Sequence, residues 1–172
     1  AREADVIVTN HALYAIDAFD GHGIIPEHDV VVIDEAHEFV DRVTSSVTES
    51  LHQGAIRGAV RELRSLGVSA LELDDAGSAL QEALAPLPDG RVRGELEARL
   101  RDTLAVIRAE AEAAREEAKN TCDSSDATTA GARTSVRAKL QEIIDVCERL
   151  LAPHEDDVVY LNHSEALGRT FI

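Results

Sequence analysis

Val30-Val31-Val32-Ile33-Asp34-Glu35-Ala36-His37 is the stretch on which the reading of this chain turns. Its run of β-branched apolar residues fits a strand buried on both faces, as in a parallel sheet. Two carboxylates then follow at the C-terminal edge, where open α/β sheets bind their ligands. This is the Walker B arrangement of a nucleotide hydrolase. Asp34 is suited to hold Mg2+ through its water shell, and Glu35 to orient and deprotonate the water that attacks a γ-phosphate. His37 follows on the turn into the next helix. A plainer role for Asp34 and Glu35 is to cap the helix beginning near Ala36. Capping alone accounts for neither the strand nor His37. A zinc-protease pattern, H-E-x-x-H, is nearly matched by His37-Glu38-Phe39-Val40-Asp41, with Asp41 where the second His belongs. It needs a third ligand, and reads more simply as D-E-A-H running into an acidic helix.

Working outward, Asp5-Val6-Ile7-Val8-Thr9 is a second buried-strand candidate. Between the two, His11 to Ala18 can form a helix with Asn10 as its N-cap, broken at Gly21-His22-Gly23. Strand, helix and strand in this span make one βαβ unit. Val158-Val159-Tyr160-Leu161 reads as a third strand near the other end.

The middle is helical. Leu51, Ala55, Ala59, Leu63 and Leu66 share one face, and Ala76, Leu80, Ala83, Leu84 and Leu87 another, closed by Pro86-Leu87-Pro88-Asp89-Gly90. Leu96, Leu100, Leu104, Ile107, Ala111, Ala114 and Ala118 form a narrow a/d-type seam, flanked by the i,i+4 pairs Glu95–Arg99 and Glu97–Arg101. Val136, Leu140, Ile143, Cys147 and Leu150 form a facing seam. Asn120 to Thr134, rich in Ser, Thr, Asp and Gly, is expected to be a mobile loop joining the two. The result is a long antiparallel helical hairpin, its first helix spanning residues 91–119 over roughly 40 Å.

Composition narrows the classes. The chain has 172 residues, 17 basic and 33 acidic, for a net charge of −16. Such acidity argues against a free-standing binder of nucleic acid held by phosphate contacts. No apolar run reaches the length of a membrane span, and two Cys cannot form a four-Cys metal site. Twenty-six Ala point to helices packed through small side chains. Residues 1–41 carry 10 acids and 1 base, whereas 42–151 carry 19 and 15, so the nearly balanced middle reads as an insertion. The lack of Met and of a signal peptide predicts an excised piece of a longer protein. Cys147 is expected in the core and Cys122 as an exposed thiol. Arg101, Arg108 and Arg115 recur every seven residues, forming either a stripe that follows a phosphate backbone or a solvated face beside Glu97, Glu112 and Glu116.

The order Ala4-Asp5-Val6-Ile7-Val8-Thr9-Asn10-His11-Ala12-Leu13, then Ile24-Ile25-Pro26-Glu27-His28-Asp29, then the strand and D-E-A-H, resembles the XPD/DinG family of superfamily 2 DNA helicases. The resemblance implies a mainly α fold: a helical arch-type insertion over 46–155, flanked by strands of a partial RecA-like α/β motor domain at 1–45 and a return strand at 156–172. It implies a cytoplasmic, ATP-dependent helicase that moves along single-stranded DNA in DNA repair, with Mg2+ and ATP as cofactors and the remaining motor domains of the same chain as partners. Asp34 and Glu35 would serve Mg2+, Glu35 would activate water, and His37 would couple hydrolysis to DNA movement. Asn10 and His11 would lie near the strand path. The phosphate-cradling G-x-x-x-x-G-K-[ST] loop is not in this stretch, so the piece alone is expected to be inactive as an ATPase. An iron–sulfur cluster would lie before Ala1 if present, with none inside this piece. Two alternatives remain: an acidic helical docking module with an accidental D-E-A-H, and a zinc hydrolase.

Overall fold

A computed structural model describes residues 4–20, 23–120, 127–164 and 169–172, which form two compact units, 1–49 and 50–172. In the first unit, α1 (His11–Asp20) and α2 (Ala36–Val47) pack together around Ala15, which is 1% exposed. Asn10 caps α1 as its sequence predicts, its Oδ1 accepting from the Leu13 amide at 2.8 Å. The Asp17 carboxylate accepts from the Ile24 and Ile25 amides (2.6 and 3.3 Å), tying the segment after α1 back onto the helix.

The two expected strands of this unit are a correction. Residues 5–9 and 30–33 run without a sheet ladder. Nor are they buried on both faces: Val6, Val8, Val30 and Val32 are bare, while Ile7, Val31 and Ile33 are partly covered. The alternation of two is that of extended backbone with cover on one side. Both segments line one cavity of about 710 Å3.

The second unit is a four-helix assembly of α3 (Gln53–Ser65), α4 (Leu71–Leu84), α5 (Ala98–Asn120) and α6 (Ala127–Leu151). Helix α3 packs on α4 and α6, and α5 packs on the same two. The core contains Ile56, Leu63, Leu73, Leu80, Leu84, Leu100, Leu104, Ile107 and Leu140, none more than 1% exposed. Alanine does what its abundance suggested: Ala59, Ala76, Ala83, Ala111 and Ala118 are buried between helices. Gly77 carries this furthest, because a Cβ there would lie 3.0 Å from Ile56 Cγ2.

The hairpin of α5 and α6 is antiparallel, with Arg108 reaching Glu148 (3.5 Å) and Arg115 reaching Gln141. From Leu100 to Ala118 the predicted seam is buried throughout, and Val136, Leu140, Ile143 and Cys147 face it. Burial pushes the Cys147 thiol up to about 12, an inert core group. Ile144 and Val146 are buried as well, since α6 packs against α3 in addition to α5.

Two boundaries differ from expectation. Helix α5 starts at Ala98 because Gly90–Arg91 form strand β1 and Gly94 turns the chain at φ +82°. Glu95 and Glu97 therefore precede the helix. Arg99 pairs with Glu82 (3.3 Å) and Arg101 with Glu95 (3.7 Å) instead of the predicted i,i+4 partners. Helix α6 begins inside the expected polar loop, with Thr134 Oγ1 donating to the Ala130 carbonyl at 3.1 Å. Cys122 and the rest of 121–126 lie outside the described residues.

The third expected strand also pairs elsewhere. Strand β2 (Tyr160–Ser164) lies antiparallel between β1 and β3 (Arg169–Phe171), with Gly90 opposite Leu161 and His163 opposite Thr170. Residues expected to return to a motor domain thus belong to the helical unit, where Leu161 is 2% exposed. Leu51 and Ile172 exchange both backbone hydrogen bonds (2.7 and 3.1 Å). Residues 51 and 172 therefore lie side by side at one edge of this unit.

Arg149 closes the end of α6 with three bonds to the Asp157 carboxylate (2.7–3.2 Å), which also accepts from the His154 amide at 2.9 Å. The guanidinium holds the Asp157 carboxyl down at about 2. An unfolded Asp titrates near about 3.9, so the clamp's contribution is complete above that value and is lost as pH falls toward about 2. The carboxyl carbon resonance of Asp157 should accordingly titrate with a midpoint of about 2. It should return to the ordinary carboxylate range in Arg149→Gln. An ordinary midpoint in the unmodified chain would show that the clamp does not form.

Candidate active site

The D-E-A-H residues sit where the extended segment 30–33 meets α2. Glu35 occupies the N-cap position with φ 47° and ψ 47°, the one non-glycine residue with positive φ among the described residues. A left-handed conformation costs a residue with a Cβ roughly 1–2 kcal/mol, so something must hold it. Two backbone contacts do. The Glu35 amide donates to Asp34 Oδ1 at 3.0 Å, and its carbonyl accepts from the Glu38 amide at 2.8 Å.

Neither carboxylate behaves as a helix cap. Glu35 makes no side-chain cap bond; its Oε2 lies 3.2 Å from His37 Nδ1 instead. The side chains of Glu35 and His37 are 66% and 74% exposed, and no Lys or Arg pairs with Asp34 or Glu35 among the described residues. The turn thus spends backbone strain to present two adjacent, uncompensated carboxylates to solvent. That donor set suits an outer-sphere Mg2+, which keeps most of its own waters and takes one or two carboxylates.

His11 supports the turn from behind. Its Nε2 donates to the Asp34 carbonyl at 2.9 Å, which fixes the Nε2–H tautomer, and its ring meets Phe39 edge-on at 5.4 Å. Tyr14 packs against Phe39 and His28 at 6.1 and 6.0 Å. Asn10 and His11 are therefore engaged by α1 and by Asp34, and the link from His11 to Asp34 is a tertiary contact that no local spacing announces.

Arg101, Arg108 and Arg115 lie in the helical unit. Arg101 faces Glu95, Arg108 faces Glu112 (3.9 Å) and Glu148 (3.5 Å), and Arg115 donates to Gln141. Each follows a seam residue by one position, after Leu100, Ile107 and Ala114, which is where hairpin helices place cross-links. Arg108 and Arg115 form such links toward α6, whereas Arg101 faces the segment before α5. For the zinc pattern, no three His, Cys, Asp or Glu side chains converge among the described residues.

Among proteins of known function, the chain is similar to the ATP-dependent helicase DinG of Mycobacterium tuberculosis (strain H37Rv) and to that of Mycobacterium bovis. In both the identity is 49% over 63 residues, covering 37% of this chain and 10% of the relative. The chain thus spans about a tenth of the length of the relatives it matches. No family model matches it, and no solved structure does. The similarity supports a relationship to DinG-type helicases. No described helix is long and apolar enough to cross a membrane.

Proposed function

We propose that this chain is part of an ATP-dependent DNA helicase of the DinG type, in which 1–49 contribute the Walker B edge of a RecA-like motor domain and 50–172 form an arch-like helical insertion. The observation that carries the reading is Glu35, held in a left-handed turn that frees its carboxylate from capping and sets it beside Asp34 and His37. In the full gene product, Asp34 would hold Mg2+ through water. Glu35 would take a proton from the water attacking ATP, and His37, touching the Glu35 carboxylate, would report the state of that site to the DNA path. Asn10 and His11 belong to that path's near side through their place beside the turn. When bound, Mg-ATP supplies the free energy; the residues here orient water and accept its proton. The exposed side chains of Val6, Val8, Val30 and Val32 leave an apolar face on these extended segments that the rest of such a motor domain would cover. Single-stranded DNA, a cytoplasmic site of action and a role in DNA repair are part of the same proposal. Any iron–sulfur cluster would be held by residues outside this chain.

The test is hydrolysis. The full gene product should hydrolyse ATP with dependence on both Mg2+ and single-stranded DNA, and the 172-residue chain alone should not. Steady Mg2+-dependent turnover by the isolated chain would refute the division of labour. A full gene product lacking any phosphate-cradling glycine loop would favour a docking module instead.

A further inference from the structure

We infer that the helical unit carries a phosphate-binding cleft formed by Arg91, Arg93 and Arg101. The cleft has a volume of about 600 Å3 and lies between the β1 segment, the start of α5 and the turn after α6. Arg91 and Arg93 stand two residues apart on extended backbone, held by the pairing of Arg91 with Tyr160 and by the bond from the Val92 amide to the Val159 carbonyl (2.9 Å). That spacing puts both guanidinium groups on one face, while Val92 turns inward onto the core. Arg101 reaches the same cleft from the first turn of α5, and Leu96, Leu150 and Val159 supply its apolar lining.

What sets this cleft apart in so acidic a chain is that it gathers three arginines. Several other arginines of the helical unit are matched to carboxylates: Arg57 and Arg64 on Asp74, Arg99 on Glu82, Arg108 on Glu148. Arg91 and Arg93 have no carboxylate partner among the described residues. Of the two acids in the lining, Asp157 is already neutralised by Arg149. Glu95 holds Arg101 only loosely, at 3.7 Å and 88% exposed, a pair that a stronger anion displaces. Convergent guanidinium groups with vacant donors match the oxygens of a phosphate ester, which they bind in bidentate fashion. Such a phosphate has two sources, a single-stranded nucleic-acid backbone or a free phosphate compound. The inference does not depend on the helicase reading, since a chain with no role in ATP hydrolysis would still bind phosphate here.

The experiment follows the arginine side-chain Nε–Hε resonances of the 172-residue chain at low salt, titrated separately with inorganic phosphate and with a short oligothymidylate. Saturable shifts of Arg91, Arg93 and Arg101 with either probe are expected. Removing both free arginines in Arg91→Ala/Arg93→Ala should weaken binding by about tenfold per arginine. Tighter binding of the oligothymidylate assigns the cleft to a nucleic-acid backbone, and equal or tighter binding of phosphate assigns it to a free phosphate compound. The control is Arg61→Ala/Arg137→Ala, exposed arginines of α3 and α6. Resonances unmoved by both probes would overturn the inference. So would a control variant that loses as much affinity as the cleft variant, because binding would then be diffuse attraction without a site.

Discussion

Glu35→Gln in the full gene product should lower ATP turnover by about 10²–10⁴-fold while leaving nucleotide affinity unchanged. The substitution keeps the length of the side chain, and the backbone contacts that hold the left-handed turn, to Asp34 Oδ1 and from the Glu38 amide, do not involve it. What it removes is the proton acceptor, since an amide cannot take a proton from water at neutral pH. Its contact with His37 also loses a charge, so DNA stimulation of the residual rate should fall together with the rate itself. Turnover and nucleotide binding measured side by side separate this outcome from misfolding: binding persists and hydrolysis does not. Turnover at the unmodified level would remove Glu35 from the proposed role and return it to the status of a turn residue.

Leu104→Ala should cost the helical unit about 2–5 kcal/mol, the range for truncating a fully buried leucine. Leu104 is 0% exposed at the middle of the α5 seam, within the hairpin that α6 completes. The residual cavity cannot be filled easily, because neighbouring seam positions such as Ile107 and Leu140 are themselves fully buried. Val106, two residues on and 49% exposed, supplies the comparison. Val106→Ala should change stability by no more than about 0.5 kcal/mol. Urea unfolding of both variants checks the pair, and equal losses would mean that the seam does not face the core.

These expectations rest unequally on sequence and structure. The hairpin seams were legible because a spacing of three and four is a local property: whatever α5 packs against, Leu100, Leu104 and Ile107 must share one face. Asn10 as a cap was legible for the same reason, its acceptor being three residues from the donor it serves. The arginine period was visible too, but its meaning depended on where α6 lay. A stripe open to DNA and a row of hairpin cross-links have the same spacing, and only the positions of Glu148 and Gln141 distinguish them. Arg91 and Arg93 fall inside the helix that the sequence predicts, where i and i+2 do not share a face, and come together only because the chain is extended there.

The segments 5–9 and 30–33 show the limit most clearly. Their composition suits strands of a parallel sheet, yet a strand exists only when a second backbone lies at ladder spacing, and here the pair flanks a cavity. The final segment did find partners, in β1 and β3 of the helical unit, so that pairing was settled by which edge lay near. By itself, then, the sequence determined the amphipathic helices, the cap at Asn10 and the D-E-A-H motif, all of them relations between residues close along the chain. Tertiary structure decided the left-handed turn at Glu35, the support from His11 and the cleft at Arg91 and Arg93. Each of these depends on contacts between residues far apart in the chain or on the backbone geometry those contacts impose, which periodicity does not encode.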